Sequence, residues 1–401
     1  MSNKEERKAP VLRFKGFTDD WEQRKLGDIS ERINRKNEKL ESNLPLTISA
    51  QYGLVDQKNF FNKQVASKNL KNYILLKKGE FAYNKSYSKD LPYGAIKRLN
   101  LYSQGVISSL YIAFKPVNVN SNFLEQYFNS NKWYKEIYRN AAEGARNHGL
   151  LNIAPKDFFS SSLNIPSDKT EQKDISNLLF KLDKLLSLQQ RKLEQLELLQ
   201  KSILQTIFTS NNKKEKIELN KLANYRRGSF PQPYTNKKWY GGKNSKPFVQ
   251  VIDVNDNLKL HEQTKERISE IAQPKSVFVP KGSIIVTLQG SIGRVAITQY
   301  DSYVDRTLLI LTDFKKKIDK YYFANALKMV FNKEKLKAPG GTIKTITKST
   351  LSSFKIVLPN IKLQIQYGKL LKSVDKQIIL NKNRIMKLKK IKQFLLQNIF
   401  I

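Results

Sequence analysis

The chain has no cysteine, which excludes a disulfide scaffold, a thiolate metal site and a cysteine nucleophile. It has two histidines, His148 and His261, so a histidine zinc centre or a Ser-His-Asp triad is short of parts. No apolar run approaches the roughly 18 residues of a membrane span, and Met1 to Pro10 is charged and polar rather than a secretory leader. The expectation is a cytoplasmic protein without a membrane segment. Acidic residues are also scarce: 35 Asp and Glu stand against 72 Lys and Arg, a net charge of +37. That excess points to a polyanion partner, and nucleic acid is the first choice. What the chain does have is 401 residues, 40% of them hydrophobic and 10% aromatic. This is enough for two or three domains with cores of their own.

Two long helices punctuate the chain. After Pro166 the sequence runs to Phe208 without Gly or Pro, with Ser167 or Thr170 available as a cap and acidic residues at the positive end of the dipole. After Pro359 a second stretch reaches Ile401, broken only by Gly368. Polar Ser210-Asn211-Asn212-Lys213-Lys214 reads as a linker. The blocks between carry short β-rich runs, such as Tyr111–Phe114, Ser283–Thr287 and Leu308–Leu311, and one helix each, around Phe123–Asn140 and Lys320–Lys335.

Globule-then-helix occurs twice. Asp183–Phe208 slides onto Asp375–Phe400 without a gap, at an offset of 192, with 8 identities in 26 positions. These include Asp183/Asp375, Lys184/Lys376, Gln205/Gln397 and Phe208/Phe400, which leucine-rich composition alone does not produce. Glu22, Lys25 and Leu26 match Glu218, Lys221 and Leu222, and Lys78-Gly79 matches Lys281-Gly282. The chain therefore reads as a tandem duplication.

Apolar positions on both helices follow steps of four and three, the mark of a coiled-coil seam. The first row is Ile175, Leu179, Leu182, Leu186, Gln189, Leu193, Leu196, Gln200, Ile203 and Ile207. The second is Tyr367, Leu371, Val374, Ile378, Asn381, Ile385, Leu388, Lys392, Leu395 and Ile399. Antiparallel packing with Gln189 on Lys392 and Gln200 on Asn381 keeps the other central layers apolar. Residues 167–209 carry net +1 and 360–401 net +9, so Glu194 and Glu197 could offset Lys387, Lys389 and Lys390. A helix of about 37 residues is roughly 55 Å long, and such a spacer would set two groove-reading globules about one DNA turn of 34 Å apart, or slightly more. The fold class expected is α+β: two mixed α/β globules, joined by two long helices as an antiparallel coiled coil, in a pseudo-two-fold tandem repeat. The divisions are 1–20 as a tail, 21–166 as the first globule, 167–209 as the central helix, 210–359 as linker and second globule, and 360–401 as the C-terminal helix.

With that order of elements the sequence resembles the specificity subunit of a type I restriction–modification system. Pro166 to Ile175 is similar to the family's Pro-x-x-x-x-Glu-Gln-x-x-Ile helix start. Trp21 to Asp28 resembles the opening of a target recognition domain, and Lys78 to Asn84 adds to the likeness. Leu363-Gln364-Ile365 departs from the Glu-Gln pair. The resemblance implies two target recognition domains, each reading one half of a bipartite double-stranded DNA target. It implies helices that act as a ruler and dock two methyltransferase subunits, with restriction/translocase subunits joining the full complex. It also implies a non-catalytic chain without a cofactor of its own, S-adenosylmethionine, ATP and Mg²⁺ belonging to the partners.

Base reading needs Arg, Lys, Asn, Gln and hydroxyls on loops. The candidates in the first globule are Gln51, Tyr52, Lys85, Ser86, Tyr87, Lys89, Arg146, Asn147 and His148. Those in the second are Arg226, Arg227, Gln289, Ser291, Arg294, Arg306 and Lys344. Any one of them could equally be a solvated surface charge, and His261 reads as surface only. Glu171-Gln172-Lys173 has the form of a nuclease half-motif with Asp157 upstream, but an acidic residue at a helix start is favoured anyway. Gly241-Gly242-Lys243 lacks P-loop spacing, and Gly290–Gly293 is too short for a dinucleotide fingerprint. No Asn-Pro-Pro-aromatic sequence of an amino-methyltransferase occurs. The rival readings are a non-sequence-specific nucleic-acid-binding structural protein and a stand-alone metal-dependent nuclease.

Overall fold

The computed structural model describes residues 9–49, 52–63, 65–86, 91–141, 146–147, 150–209, 215–337, 346 and 348–401. The chain forms two compact units, Met1–Gln189 with Arg384–Ile401, and Gln190–Asn383.

In the first unit, Phe81-Ala82-Tyr83 and Ile112-Ala113-Phe114 are buried throughout. Side chains alternate across a strand, so one face of these strands is bulky and the other small. Phe81, Tyr83, Ile112 and Phe114 join a core with Trp21, Phe123 and Tyr127, while Ala82 and Ala113 face a second core with Leu46, Leu76 and Ile107. A strand covered on both sides needs an uninterrupted apolar run, and that is what these segments have. They lie in an antiparallel sheet of order Ser30–Ile33, Ile112–Pro116, Phe81–Asn84, Ala95–Arg98. The second layer pairs Leu46–Ser49 with Gly53–Asp56 and Ile74–Lys77 with Gln104–Ile107. A parallel bridge between Pro45 and Val106 joins the two ribbons. Glu22–Lys25 and Ser162–Ile165 close the base.

The second unit repeats this plan. Its main sheet has the order Asn224–Arg227, Leu308–Thr312, Ile284–Thr287, Val295–Ile297. Ile284, Val286, Leu309 and Leu311 fill one core, and Ile285, Leu308 and Ile310 the other. The second sheet runs Glu266–Ile268, Lys246–Val249, Ser302–Val304, Val277–Val279, again with one parallel pair, 246–249 with 302–304. Lys216–Glu218 and Lys355–Val357 close this base.

The helices are Lys169–Phe208, of 40 residues, and Ile361–Asn398, of 38. The central helix is capped by Asp168, whose carboxylate accepts from the Thr170 N–H at 2.6 Å, rather than by the expected Ser167 or Thr170. Asn360 caps the C-terminal helix through the Leu363 N–H at 3.0 Å. Gly368 sits where a Cβ would come 2.2 Å from the Asp319 carboxylate, which explains a glycine inside a helix. The helix expected over 123–140 is two helices, Ser121–Asn129 and Tyr134–Asn140. The break follows Ser130, whose hydroxyl and N–H both turn back to the Tyr127 carbonyl.

Within each unit the long helices run antiparallel. In the first, Ile175 and Leu179 share a core with Ile399 and Phe400, and Asp183 pairs with Lys392. In the second, Glu197 pairs with Lys382 at 2.7 Å and Gln200 donates to Asp375. Leu182, Leu193, Val374, Ile378, Asn381 and Ile385 are buried; Leu186, Gln189, Leu196, Gln200, Ile203, Leu388, Lys392 and Leu395 are half-buried. Beside the expected layers of Gln189 with Lys392 and Gln200 with Asn381, the bonds seen are from Lys392 to Asp183 and from Gln200 to Asp375. Both partners lie six residues, about 9 Å, along the facing helix from the expected ones, and in both cases the group bonded is a carboxylate, the stronger acceptor, rather than a neutral amide. Likewise Glu197 takes Lys382 rather than Lys387, Lys389 or Lys390.

Candidate nucleic-acid interface

Both units expose loops at the same end of the main sheet. In the second unit this end gathers the residues after Arg227, the turn Asp305–Thr307 before Leu308, and the loop from Leu288 to Arg294. Arg227 pairs with Leu309 and Thr287 with Leu308, and the Leu288 N–H donates to the Thr307 carbonyl at 2.8 Å. Arg226, Arg227, Gln289, Ser291 and Arg306 are all exposed there. Gly228 packs the strand end against the turn: a Cβ would meet the Val304 carbonyl oxygen at 2.1 Å. The 288–294 loop is braced by the Thr287 hydroxyl, which donates to the Ser291 carbonyl and accepts from the Arg294 N–H at 3.0 Å.

The arginines are not equivalent. Arg294 pairs with Asp256 at 2.9 Å and donates to the Val254 carbonyl at 3.3 Å, so its guanidinium bridges two segments of its own unit. Arg306 lies over the Tyr234 ring, 5.3 Å from its centroid. The Tyr234 hydroxyl donates to the buried Asp305 carboxylate, which also accepts from the Thr307 hydroxyl. Burial, and then the bond to Asp305, hold the Tyr234 hydroxyl far above its ordinary titration range. It stays a neutral donor. Behind it lies an aromatic cluster of Phe230, Trp239 and Phe248.

In the first unit the same sheet end carries Lys85 and Ser86 after Phe81–Asn84, and the turn Ser108–Leu110 before Ile112. The Leu151 N–H donates to the Lys85 carbonyl at 3.0 Å and Ser86 bridges Leu150. The strand 150–151 in turn pairs with Arg146-Asn147. The structure therefore brings the 85–86 and 146–147 candidates into one patch. Tyr52 stands apart from it, exposed at the tip of the 46–56 hairpin in the second layer. Gln51, Tyr87, Lys89, His148 and Lys344 lie outside the described residues.

The turn 108–110, which is not among the candidates above, matches 305–307 position for position. The Tyr111 N–H donates to the Ser108 carbonyl at 3.1 Å and the Leu308 N–H to the Asp305 carbonyl at 3.0 Å. The available signal was a short polar stretch directly ahead of an apolar strand, Ser108-Ser109 in the first unit and Asp305-Arg306-Thr307 in the second.

Glu171 has a different job from that of a nuclease carboxylate. It is buried, and Arg13 clasps it with two bonds of 2.7 and 2.9 Å while the Trp21 indole donates at 3.4 Å. This bidentate grip raises the Arg13 pKa further. Gln172 beside it spans its own helix start and the neighbouring one: its amide donates to the Pro166 carbonyl at 2.8 Å and accepts from the Asn120 N–H at 2.8 Å. Gln364 repeats both bonds with the Pro359 carbonyl, 2.7 Å, and the Asp319 N–H, 3.1 Å. The departure at Leu363 thus leaves the Gln role intact. Among the described residues no cluster of three His, Asp or Glu could hold a metal, and no helix is long and apolar enough to cross a membrane.

Residues 211–390 match the family described as the type I restriction modification DNA specificity domain. A curated relative from Methanocaldococcus jannaschii, named as a candidate type I restriction enzyme MjaX specificity subunit, is 23% identical over 277 residues. The match takes in 65% of this chain and 62% of the relative, so less than two thirds of that protein's length is covered. The fold is similar to the crystal structure of a type I restriction–modification S subunit from M. genitalium, with a TM-score of 0.62 at 16% identity over 98% of this chain and 99% of that one. A chain from a study of complex assembly and conformational transition in the type I system shares the fold at a TM-score of 0.55 and 15% identity, covering 95% and 97%.

Proposed function

We propose that this chain, which belongs to the family of type I restriction–modification specificity subunits, reads a bipartite double-stranded DNA target, one half-site per unit. The observation that carries the reading is the shared sheet end. Two copies of one scaffold present different polar and cationic loops at the same place, as two different half-sites require. The excess of 37 positive charges supplies phosphate attraction, which adds affinity and salt dependence without sequence preference. Base edges are then read by the side chains on the loops.

In this reading the long helices set the gap between half-sites and dock two methyltransferase subunits. Support comes from apolar side chains left exposed along them, including Leu188, Ile391 and Phe394 in the first unit and Leu198, Leu370 and Leu380 in the second. Exposed apolar surface of this kind marks a protein partner. The chain itself is non-catalytic. S-adenosylmethionine, ATP and Mg²⁺ act on the methyltransferase and restriction/translocase subunits.

Methylome sequencing of a host carrying this chain with its methyltransferase tests the proposal. The expected outcome is one motif in two parts with an unspecified gap of fixed length. Lengthening the central helix by one turn widens the gap and leaves the outer bases unchanged. Steeply salt-dependent binding without any sequence preference would replace this reading with that of a general nucleic-acid binder.

A further inference from the structure

We infer that Arg306 is a base-reading residue of the second unit, that its target is a guanine, and that Asp305, Tyr234 and Thr307 are its positioning residues. The inference rests on the half-site reading above and goes beyond it by naming one residue and one base. Among the described exposed arginines at this sheet end, Arg306 stands on a turn closed by the Leu308 N–H on the Asp305 carbonyl and backed by Gly228. Its guanidinium rests on the Tyr234 ring, and that ring is fixed through its hydroxyl to the buried Asp305. Asp305 is held in turn by the Thr307 hydroxyl. The Tyr234 hydroxyl also engages the Arg306 side chain, and among the described residues no carboxylate forms an ion pair with it, so the fork is oriented and no ion pair neutralises it. Arg294, by contrast, spends its donors on Asp256 and Val254.

A planar cation held in one orientation, on a loop at the presenting end, suits bidentate recognition of guanine O6 and N7. Pre-ordering the side chain removes the rotamer entropy that a free surface arginine loses on binding. The matching turn in the first unit carries Ser108-Ser109-Leu110, with Leu110 60% exposed. It has no guanidinium to offer. The same position on one scaffold thus presents a guanine reader in one half and a small hydroxyl with an apolar side chain in the other.

The test uses the full chain assembled with its methyltransferase and a panel of duplexes carrying every single-base change in the wild-type target. In the wild type, replacing one guanine in one block costs about ten- to a hundredfold in affinity, the range of a good bidentate pair. In Arg306→Ala that penalty vanishes, so all four bases bind alike at that position while every other penalty stays. Arg306→Lys behaves like Arg306→Ala, because it keeps the charge and loses the fork; it also serves if the alanine variant does not fold. Tyr234→Phe, which keeps the ring and frees Asp305, reduces the same penalty and no other. Uniform weakening across the panel, with all penalties kept, would make Arg306 a phosphate contact and overturn the inference. An unchanged profile overturns it too. If the wild type shows no two blocks of penalties at all, the half-site reading itself fails.

Discussion

The two units differ least where their backbones are tied and most where their loops face outward. Both have the same order of strands in both sheets, the same base ribbon, and the same glutamine, Gln172 or Gln364, stitching a proline carbonyl to the first N–H of a neighbouring helix. Beside that stitch the chemistry diverges. The first unit buries Glu171 under Arg13 and Trp21; the second has Leu363, and Ile217 where the duplication aligns Trp21. Apolar side chains thus stand at the second unit's positions that correspond to a buried acid and its indole donor in the first, a replacement that can be nearly neutral because an ion pair's attraction is offset by its desolvation. The loops diverge further. Residues 50–52 join two strands in the first unit, whereas 250–265 join their counterparts in the second. A duplicated scaffold keeps what satisfies backbone groups and leaves its outward loops free to differ.

The largest energetic difference between the halves should come from the helix ends. Phe400 is 1% exposed and stands edge-on to Phe123 and Tyr127. Its counterpart Phe208 is only half-buried, tilted against Tyr322 at 5.2 Å. Phe400→Ala should cost about 3–5 kcal/mol and Phe208→Ala about 2 kcal/mol, by the cavity each leaves. Urea unfolding followed by residue-resolved hydrogen exchange reads the loss in each unit separately. Equal losses would break the asymmetry.

Next in size is the corner itself. Glu171→Leu removes one partner of a buried pair and leaves Arg13, itself 13% exposed, without its counter-charge. A loss of about 3 kcal/mol is expected. Adding Arg13→Met copies the apolar chemistry of the second unit, and most of the loss should return. If the double variant is as unstable as the single one, the two corners are not interchangeable.

Much of this scaffold was legible beforehand because duplication writes itself in side chains of fixed spacing. The 192-residue offset, the steps of four and three, and the apolar runs of the central strands all follow from backbone periods. The reading end was legible as loop composition only. Tyr234 and Arg306 are 72 positions apart, and Arg13 reaches Glu171 from 158 positions away, out of a stretch read as a tail. Such pairs are made by tertiary folding and leave no local trace. The carboxylate partners on the long helices were missed for a related reason: steps of four and three define a face, but they do not say which carboxylate of the facing helix a Lys or Gln bonds. Ser130, which ends a helix by turning its hydroxyl back on Tyr127, looks like any other helix-surface serine until that bond is seen.

The stitch offers the test of sameness. Gln172 and Gln364 are each 2% exposed and each make the same two bonds. Replacing either by Leu leaves a buried N–H and a carbonyl without their partner, at about 2 kcal/mol for the set. The two losses should agree within about 0.5 kcal/mol, the usual additivity error for independent sites. A large gap between them, by the same unfolding assay, would show that one unit has another partner for its stranded groups.

The smallest effect belongs to the ion pairs between the long helices, and it too should differ between halves. In the second unit Lys382 and Glu197 are 55% and 46% exposed; in the first, Lys392 and Asp183 are 24% and 32%. Water screens the first of these pairs more fully, and holding two long side chains in one geometry costs rotamer entropy. Lys382→Ala should therefore change stability by about 0.5 kcal/mol or less, and the change should vanish in 1 M salt, where the screening length falls to about 3 Å. Lys392→Ala should cost about 1 kcal/mol and keep part of that cost in salt, because its partner is less open to counterions. If Lys382→Ala proved the more damaging of the two, exposure would not be what ranks these pairs. The helix seam in the second unit would then depend on Glu197 in a way that its solvent-facing position does not explain.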